Sequence, residues 1–210
     1  MTRLSQKVIS WILLKGENLE DELYGAEKNI LLDVKSKSKV LEIGPGTGIN
    51  LKYYPKNINW IGLESNPEMS KHIKIKIRKQ GINANLLNGS AEKIPLKNNS
   101  IDYVISTLVL CSVNNPLNVV KEIKRVLKPR GKFLFIEHVA DEKGTFRRVI
   151  QNMTNYTPWK FFSDGCHPNR ETWKVIEHEF KNVKLKKYFL KNSGFFTWIV
   201  KPHIMGKAEK

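Results

Sequence analysis

Residues 40–49 of the chain, V-L-E-I-G-P-G-T-G-I, decide the fold. A short apolar run at residues 39–43 leads directly into a turn that contains Gly44, Gly46 and Gly48. Glycine allows positive φ and a close approach of the backbone to a ligand, and the first N–H groups of a following helix are free to donate to it. The pattern therefore predicts a strand that ends in a ligand-binding turn.

Apolar strands alternate with helices on both sides of this turn. Such alternation predicts a parallel sheet that is covered by helices on both faces. The predicted strands are residues 39–43, 59–63, 83–87, 101–106 and 132–138, and the predicted helices are residues 4–14, 19–33, 67–79, 116–128, 145–156 and 170–180.

The end of the chain changes the pattern, because residues 183–190 and 195–203 read as strands with no room for a helix between them. They predict an antiparallel hairpin. The expected fold class is α/β and Rossmann-like, with a seven-stranded, mostly parallel sheet, an antiparallel last strand and helices on both faces. Residues 1–210 are expected to form one domain, with N-terminal helices at 1–35, a cofactor-binding half at 36–140 and a substrate-side half at 141–210.

Glu64 lies 20 residues after Gly44, at the end of the second predicted strand, where a carboxylate can accept hydrogen bonds from both hydroxyls of a ribose. A dinucleotide-binding turn reads G-x-G-x-x-G, but here Gly48 follows Gly46 by two places, and Pro45 removes an N–H from the middle of the turn. S-adenosylmethionine (SAM) has no phosphate, so neither change harms its binding. The spacing therefore favours SAM over NAD.

Two further segments resemble those of class I SAM-dependent methyltransferases. Residues 90–96, S-A-E-K-I-P-L, are similar to the loop that binds the adenine ring, and residues 106–112, S-T-L-V-L-C-S, are similar to the loop that faces the methionine part of SAM. The cofactor-binding residues that these motifs imply are Glu42, Gly44, Pro45, Gly46, Gly48, Glu64, Ser65, Met69, Ser90, Ala91, Glu92, Thr107 and Leu108.

Motifs in the second half of the chain resemble one family more closely. In order, they are T-L-V-L-C-S-V at 107–113, E-H-V-A at 137–140, D-G-C at 164–166, R-E-T-W-K at 170–174 and P-H-I-M-G-K-A at 202–208. From about residue 40 to residue 208 the chain is similar to the methyltransferase-like protein seven family of small membrane-associated alkyl-thiol methyltransferases. The resemblance implies methyl transfer from SAM to a small apolar thiol, with S-adenosylhomocysteine (SAH) as the other product. Arg130 occupies a turn where the family usually has glycine, and we expect Gly131 to take the positive φ there.

The same motifs supply candidates for catalysis and for the substrate pocket. Asp164, His138 and His203 each fall in one of them, and we expect one of the three to accept or orient the thiol proton; a structural hydrogen bond remains the alternative for each. A thiol with a pKa of about 8.5 is partly ionised at neutral pH and needs only modest help from a base. The expected substrate pocket contains Trp159, Phe162, Cys166 and Trp173, for which core packing is the alternative.

The chain has two cysteines, Cys111 and Cys166, and therefore no disulfide framework, which makes a reducing cytoplasm the expected location. Cys111 lies in an apolar run and is expected in the core. The one Cys-His pair with short spacing is Cys166-His167, and adjacent residues rarely chelate one ion. We therefore expect no metal site.

The net charge of +16 would attract nucleic acid, anionic lipid or an acidic substrate, but the lysines are scattered, which favours an ordinary solvated surface. The apolar run at residues 8–14 is too short to span a bilayer and is expected to pack over the domain. A peripheral membrane contact through this helix, with Trp11 at the lipid boundary, remains open.

Three alternative functions also remain open. A phospholipid or quinone-type methyltransferase could act at a membrane surface. Nucleic-acid modification is disfavoured because no N-P-P-Y-type motif follows the fourth predicted strand. A regulator that binds SAM without turnover would carry the same cofactor motifs. No obligate protein partner is expected from the sequence.

Overall fold

The structure is a computed structural model that describes residues 3–190 and 194–210. It contains seven strands at positions close to those predicted from the sequence. They are β1 (Lys39–Ile43), β2 (Asn59–Glu64), β3 (Asn83–Asn88), β4 (Ile101–Thr107), β5 (Leu127–His138), β6 (Asn182–Phe189) and β7 (Pro202–Glu209).

The strands form one sheet in the order β3-β2-β1-β4-β5-β7-β6. The β1, β2, β3, β4 and β5 ladders are parallel, and β7 lies antiparallel between β5 and β6. This confirms the predicted fold class. The chain reverses its winding direction between β1 and β4, and in open α/β sheets ligands bind beyond the carboxyl ends of the strands at such a point. The glycine turn, Glu64, Thr107 and His138 all lie at that edge.

Helices cover both faces of the sheet. They are α1 (Arg3–Lys15), α2 (Glu17–Tyr24), α3 (Met69–Gln80), α4 (Pro116–Val126), α5 (Phe146–Met153), α6 (Trp159–Phe162), α7 (Thr172–Glu179) and α8 (Phe195–Ile199), with 3-10 helices at Glu27–Asp33, Ile49–Tyr53 and Thr154–Tyr156. The start of α4 follows the sequence signals, because the Asn115 side chain accepts a hydrogen bond from the Asn118 N–H and Pro116 occupies the first position.

Three details differ from the sequence prediction. The helix expected at residues 19–33 is divided at Gly25, where α2 gives way to the 3-10 helix Glu27–Asp33. The strand expected at residues 195–203 is α8 followed by β7. The last residue of β6, Phe189, pairs with Pro202, so residues before Pro202 have no neighbouring strand. They satisfy their backbone groups within a helical turn instead.

The turn before β5 also differs. Arg130 itself adopts φ 62°, and Gly131 is not in the left-handed region. Gly131 is required for another reason, since a Cβ there would lie 2.8 Å from the Lys128 carbonyl oxygen.

The core consists of one apolar layer on each face of the sheet. Along β5, Phe133 and Phe135 face the layer formed by α4 and α7, and Leu134 between them faces the layer formed by α3 and the 3-10 helices. This alternation is the period of two expected of a strand with both faces buried. On the α4 side, Val119, Val120, Ile123 and Val126 are fully buried, as the amphipathic pattern of that helix predicts.

Gly206 gives a stability prediction, because it lies in β7 between two strands. A Cβ at Gly206 would lie 2.3 Å from the Lys184 carbonyl oxygen and 2.8 Å from Leu185 Cα, both backbone atoms that cannot move aside cheaply. We expect Gly206→Ala to lower the free energy of unfolding by about 2–3 kcal/mol in urea denaturation.

Gly194→Ala is the matched control, because a Cβ there meets no atom within 4 Å and φ is −66°. It should change the free energy of unfolding by less than about 0.5 kcal/mol. Equal effects of the two substitutions would show that the close approach of β6 and β7 at Gly206 is wrong.

Candidate functional site

The glycine turn after β1 forms the floor of the site. Gly44, Gly46 and Gly48 have φ values of 56°, 54° and 75°, a region that side chains other than glycine seldom adopt. A Cβ on Gly44 would lie 2.7 Å from Val109 Cγ2, whereas a Cβ on Gly46 would meet no atom within 4 Å. Gly44 therefore lets the turn approach the loop after β4, and Gly46 presents bare backbone to open space.

Glu64, the last residue of β2, joins its carboxylate to this turn. One oxygen accepts a hydrogen bond from the Gly46 N–H at 3.0 Å, and the other accepts from the Asn66 N–H at 2.8 Å. Burial raises the pKa of Glu64 above its ordinary value. The carboxylate both fixes the turn and lines the cavity above it, which is the placement predicted for a ribose-binding group.

Glu42 has a different position from the one predicted. Its carboxylate lies under the turn and accepts hydrogen bonds from Asn50 Nδ2, the Tyr54 hydroxyl and Trp60 Nε1, each at 2.9 Å. Glu42 does not line the cavity. Its carboxylate therefore holds the turn in place from the buried side of β1. Asn50 Nδ2 also donates to Thr107 Oγ1 at 3.1 Å and so connects the turn to the end of β4.

A cavity of about 1380 Å³ opens above these groups. Ile12, Leu13, Glu20 and Tyr24 from the N-terminal helices and the segment 157–166 form its other walls. Among the described residues its lining has four carboxylates (Glu20, Glu64, Glu92 and Asp164) and no Lys or Arg side chain. In a chain of net charge +16, such a lining suits a cationic ligand and does not suit a phosphate.

Two buried side-chain oxygens on residues beside the glycine turn have no hydrogen-bond partner among the described residues. They are Thr47 Oγ1 and Asn50 Oδ1, both on residues that line the cavity next to the glycine turn. Buried polar groups are nearly always paired, so these two atoms are suited to a polar ligand. The bare turn, the Glu64 carboxylate, the unpaired atoms and the acidic lining together fit a nucleoside with a cationic, phosphate-free tail, as SAM has.

Most of the predicted cofactor residues line this cavity, and the exceptions are explained by packing. The lining includes Gly44, Pro45, Gly46, Glu64, Ser65, Met69, Ser90, Ala91, Glu92, Thr107 and Leu108. Gly48 does not line it, because a Cβ there would face Leu51 and Ile73. The Glu92 carboxylate also accepts a hydrogen bond from the Asn115 N–H at 2.9 Å, which ties the 90–92 loop to the start of α4.

Glu137, a buried residue of β5, positions the loop after β4. Its carboxylate accepts hydrogen bonds from the Ser106 hydroxyl and from the N–H groups of Val109 and Leu110. Glu137 belongs to the E-H-V-A motif, which is a signal for this residue, but the motif does not reveal which groups the carboxylate binds.

His138 and His203 are cross-strand neighbours on β5 and β7, and the structure separates their roles. His203 Nδ1 lies 3.0 Å from the Lys201 carbonyl oxygen and must donate to it, so Nε2, 2.9 Å from the Tyr24 hydroxyl, accepts from that O–H. His203 also does not line the cavity. Both ring nitrogens are in use, so we do not retain His203 as a candidate for proton transfer.

The buried, neutral His203 leads to a pH prediction. Burial first, and then the nearby His138, lowers the pKa of His203 to about 3. Between pH ~6.5 and pH ~3, His203 is protonated in the unfolded chain and neutral in the folded chain. The free energy of unfolding therefore falls by up to about 1.4 kcal/mol for each unit by which the pH falls.

We therefore expect His203→Gln to weaken the acid dependence of the unfolding free energy between pH ~6.5 and pH ~4.5. His178→Gln, at an exposed histidine of α7, should leave that dependence as it is. An unchanged slope in His203→Gln would mean that the ring is not buried in its neutral form.

His138 lies in the cavity wall together with both cysteines. His138 Nε2 is 2.9 Å from Cys166 Sγ, and Cys111, His138 and Cys166 all line the cavity. A hydrogen bond between the two thiols raises the pKa of Cys111 well above its ordinary value and lowers the pKa of Cys166. Cys111 is buried as predicted, but it belongs to the site as well as to the core.

The remaining candidates lie in different places. Asp164 lines the cavity with φ 52°, and burial raises its pKa. Trp159 lines the cavity, whereas Trp173 packs against the core, with Lys187 Nζ 4.4 Å from its ring centroid, because α7 lies on the face of the sheet away from the cavity. The side chain of Phe162 lies outside the described residues.

The chain is similar in sequence to known methyltransferases. Residues 41–135 match the profile of the methyltransferase domain family. The chain is 36% identical over 201 residues to "Thiol S-methyltransferase TMT1B" of Rattus norvegicus, covering 93% of this chain and 80% of the relative. It is 35% identical over 179 residues to "Thiol S-methyltransferase TMT1A" of Homo sapiens, covering 83% and 71%.

The fold is also that of solved methyltransferase structures. The structure of a candidate methyltransferase from Bacillus halodurans superposes with a TM-score of 0.68 at 16% identity, covering 88% of this chain and 97% of that chain. At that identity the likeness concerns the fold alone.

Proposed function

This chain belongs to the thiol S-methyltransferase family of SAM-dependent methyltransferases, and from that premise we propose that it transfers a methyl group to the sulfur of a small apolar thiol. The observation that carries the proposal is the pair formed by His138 and Cys166 in a largely apolar part of the cavity wall. SAM is the methyl donor, and when bound it supplies an electrophilic methyl group on a sulfonium.

The cofactor half of the cavity is proposed to bind SAM through groups already in position. Glu64 would accept hydrogen bonds from the ribose hydroxyls, and the backbone of Ala91 and Glu92 would meet the adenine edge. The unpaired oxygens of Thr47 and Asn50 belong to residues that line the cavity next to the glycine turn. Holding both reactants in one orientation can supply much of the acceleration of a methyl transfer.

The proposed acceptor half of the cavity has apolar walls. Leu13, Val109, Val113, Trp159 and Val200 contribute to them, which favours an apolar acceptor over a charged one. A thiolate reacting with a sulfonium loses charge in the transition state, so a dry pocket favours the step.

His138 is the proposed group that accepts or orients the proton of the acceptor thiol. Its Nε2 lies 2.9 Å from the Cys166 sulfur, and both residues line the cavity together with the apolar side chains. Asp164 is the second candidate, and because burial raises its pKa, its carboxylate is a stronger base than that of an ordinary aspartate. An amine or a hydroxyl acceptor loses its proton less readily than a thiol. Either acceptor would therefore need a stronger base than His138 or Asp164.

A turnover screen tests the acceptor class. The chain would be incubated with SAM and, separately, with alkyl thiols, amines, phenols and phospholipid vesicles, and SAH production would be measured. We expect SAH production above the acceptor-free rate with apolar thiols. Turnover with phospholipid or an amine, and none with any thiol, would overturn the proposal, and SAH binding without turnover on any acceptor would indicate a silent SAM-binding protein.

We also propose a peripheral membrane contact through α1, which would suit apolar acceptors that partition into lipid. Val8, Trp11 and Ile12 on this helix are 43%, 63% and 39% exposed, and α1 carries no acidic residue. Ile12 also lines the cavity, so the exposed face of α1 adjoins the site. No helix in residues 3–190 or 194–210 is long and apolar enough to cross a membrane.

Vesicle flotation tests this contact. With anionic vesicles we expect binding that weakens as salt rises, and we expect Trp11→Ser to weaken it about tenfold, since an interfacial tryptophan contributes more than 1 kcal/mol. Leu32→Ser, at another exposed apolar residue (64% exposed), is the matched control. Equal binding of the Trp11 variant and the wild type would contradict the contact.

A further inference from the structure

Three side chains of the kind that ligate metals meet in the cavity wall. The sulfurs of Cys111 and Cys166 and a ring nitrogen of His138 all lie within 4.8 Å of one another, and all three residues are buried. Both cysteines of the chain take part, although they come from separate loops. The fold, and not the spacing in the sequence, brings these ligands together, which is why a rule based on closely spaced Cys and His residues predicted no site.

Backbone contacts clamp the two loops that carry the sulfurs. The His167 N–H donates to the Cys111 carbonyl oxygen at 2.9 Å, and Arg170 Nη1 donates to the same oxygen at 2.9 Å. Gly165 has φ 79°, and a Cβ there would lie 3.1 Å from the Ser112 carbonyl oxygen, so glycine permits this close approach. The positions of both sulfurs are therefore fixed before any ligand arrives.

Each cysteine also follows a residue with an unfavourable backbone conformation. Leu108, three residues before Cys111, has φ 58°, and Asp164, two residues before Cys166, has φ 52°. Non-glycine residues in this region cost free energy and tend to occur where function requires a particular geometry. The strain and the clamped loops indicate that the convergence of the two thiols on His138 is more than filling of the core.

We propose that Cys111, His138 and Cys166 bind Zn²⁺ as two thiolates and one imidazole, with one coordination position open to the cavity. Thiolate and imidazole ligands together select zinc among common divalent ions. Structural zinc sites use four protein ligands, whereas three protein ligands and an open position characterise catalytic sites. All three residues line the cavity, so the open position faces the acceptor half. Each thiol loses its proton to solvent when the metal binds, and the two thiolates then balance the charge of the ion.

The open position would receive the sulfur of the acceptor, and this role, unlike metal binding itself, rests on the proposed function. The acceptor R–SH releases its proton to solvent, and its sulfur binds Zn²⁺ as a thiolate, as coordinating thiols do. Arg170 Nη1 donates to the Cys111 carbonyl oxygen at 2.9 Å, so the positive charge of its guanidinium lies beside the site and offsets part of the added negative charge. The site would thus supply an ionised acceptor sulfur at neutral pH without a strong base.

Titration of the full chain with Co²⁺ in a thiol-free reductant tests the site. We expect about one Co²⁺ per chain and an intense near-ultraviolet thiolate-to-cobalt band, which Zn²⁺ abolishes by displacement. Cys111→Ala, Cys166→Ala and His138→Ala should each weaken binding at least about tenfold, while His178→Ala, at an exposed histidine, should not. Calorimetry with SAH shows whether each variant is folded.

A second measurement needs no variant. Stoichiometric Zn²⁺ should slow the alkylation of both cysteines in the wild-type chain. Absence of the thiolate band and of this protection would overturn the zinc site. A different result is possible once Co²⁺ is bound. If an added alkyl thiol is methylated but leaves the Co²⁺ spectrum unchanged, the acceptor sulfur does not occupy the open coordination position. Methylation of thiols by a metal-free chain at the same rate would leave the proposed function standing and overturn the role of the ion in ionising the acceptor.

Discussion

Replacing Glu64 by alanine is expected to raise the Kd of SAH about 1000-fold, since the two hydrogen bonds that a carboxylate makes to ribose hydroxyls contribute roughly 1.5–3 kcal/mol each. The substitution also removes the acceptor for the Gly46 N–H, which holds the glycine turn in place. Isothermal titration calorimetry measures the effect directly.

Glu64→Gln and Glu177→Ala serve as the comparison variants. Glutamine keeps one acceptor oxygen, so we expect a smaller loss for it, of about 10- to 100-fold. Glu177→Ala removes the same charge at an exposed position of α7, and it should leave the Kd of SAH unchanged. A Glu64→Ala variant that is folded and binds SAH as tightly as the wild type would show that the carboxylate does not hold the cofactor.

Replacing His138 by alanine is expected to lower kcat with an alkyl thiol about 100-fold or more, in the range typical of a lost proton-transfer group, with SAH affinity unchanged. This loss is expected whether the imidazole acts as a base or as a zinc ligand, because both roles help to ionise the acceptor. An aryl thiol that is already ionised at neutral pH should be methylated by the variant at nearly the wild-type rate.

This rescue separates a role in chemistry from a role in packing. A side chain that only fills the wall would, when removed, slow both thiols to the same extent. The matched control is His178→Ala, which lies outside the cavity lining. Equal losses for the alkyl and the aryl thiol would contradict the assignment of His138 to the acceptor proton.

The sequence predicted the elements whose signals are local. The glycine turn, the carboxylate at the end of β2 and the capped helix α4 are each determined by residues close together in the chain, and the structure has them where they were expected. The division of the helix predicted at residues 19–33 was not predicted. The helix α8 was not predicted either, because it depends on which strand partners are available before β7.

In the candidate site, too, the sequence predicted residues but not the contacts that depend on tertiary packing. Glu42 is the next-to-last residue of β1 and Glu64 is the last residue of β2. Sequence alone does not show that the first points beneath the turn while the second lines the cavity. His138 and His203 both belong to family motifs, but cross-strand pairing and Tyr24 decide which ring remains available. Cys111, His138 and Cys166 meet because of tertiary packing, which spacing does not reveal.

The most direct measurement follows an isotopically labelled methyl group from SAM in the presence of an apolar alkyl thiol. We expect the label to appear in the S-methyl thioether in a one-to-one ratio with SAH, at a rate that falls in Glu64→Ala and His138→Ala. SAH formation with the label on an amine or a phospholipid, and no labelled thioether from any thiol, would contradict S-methylation as the reaction of this chain.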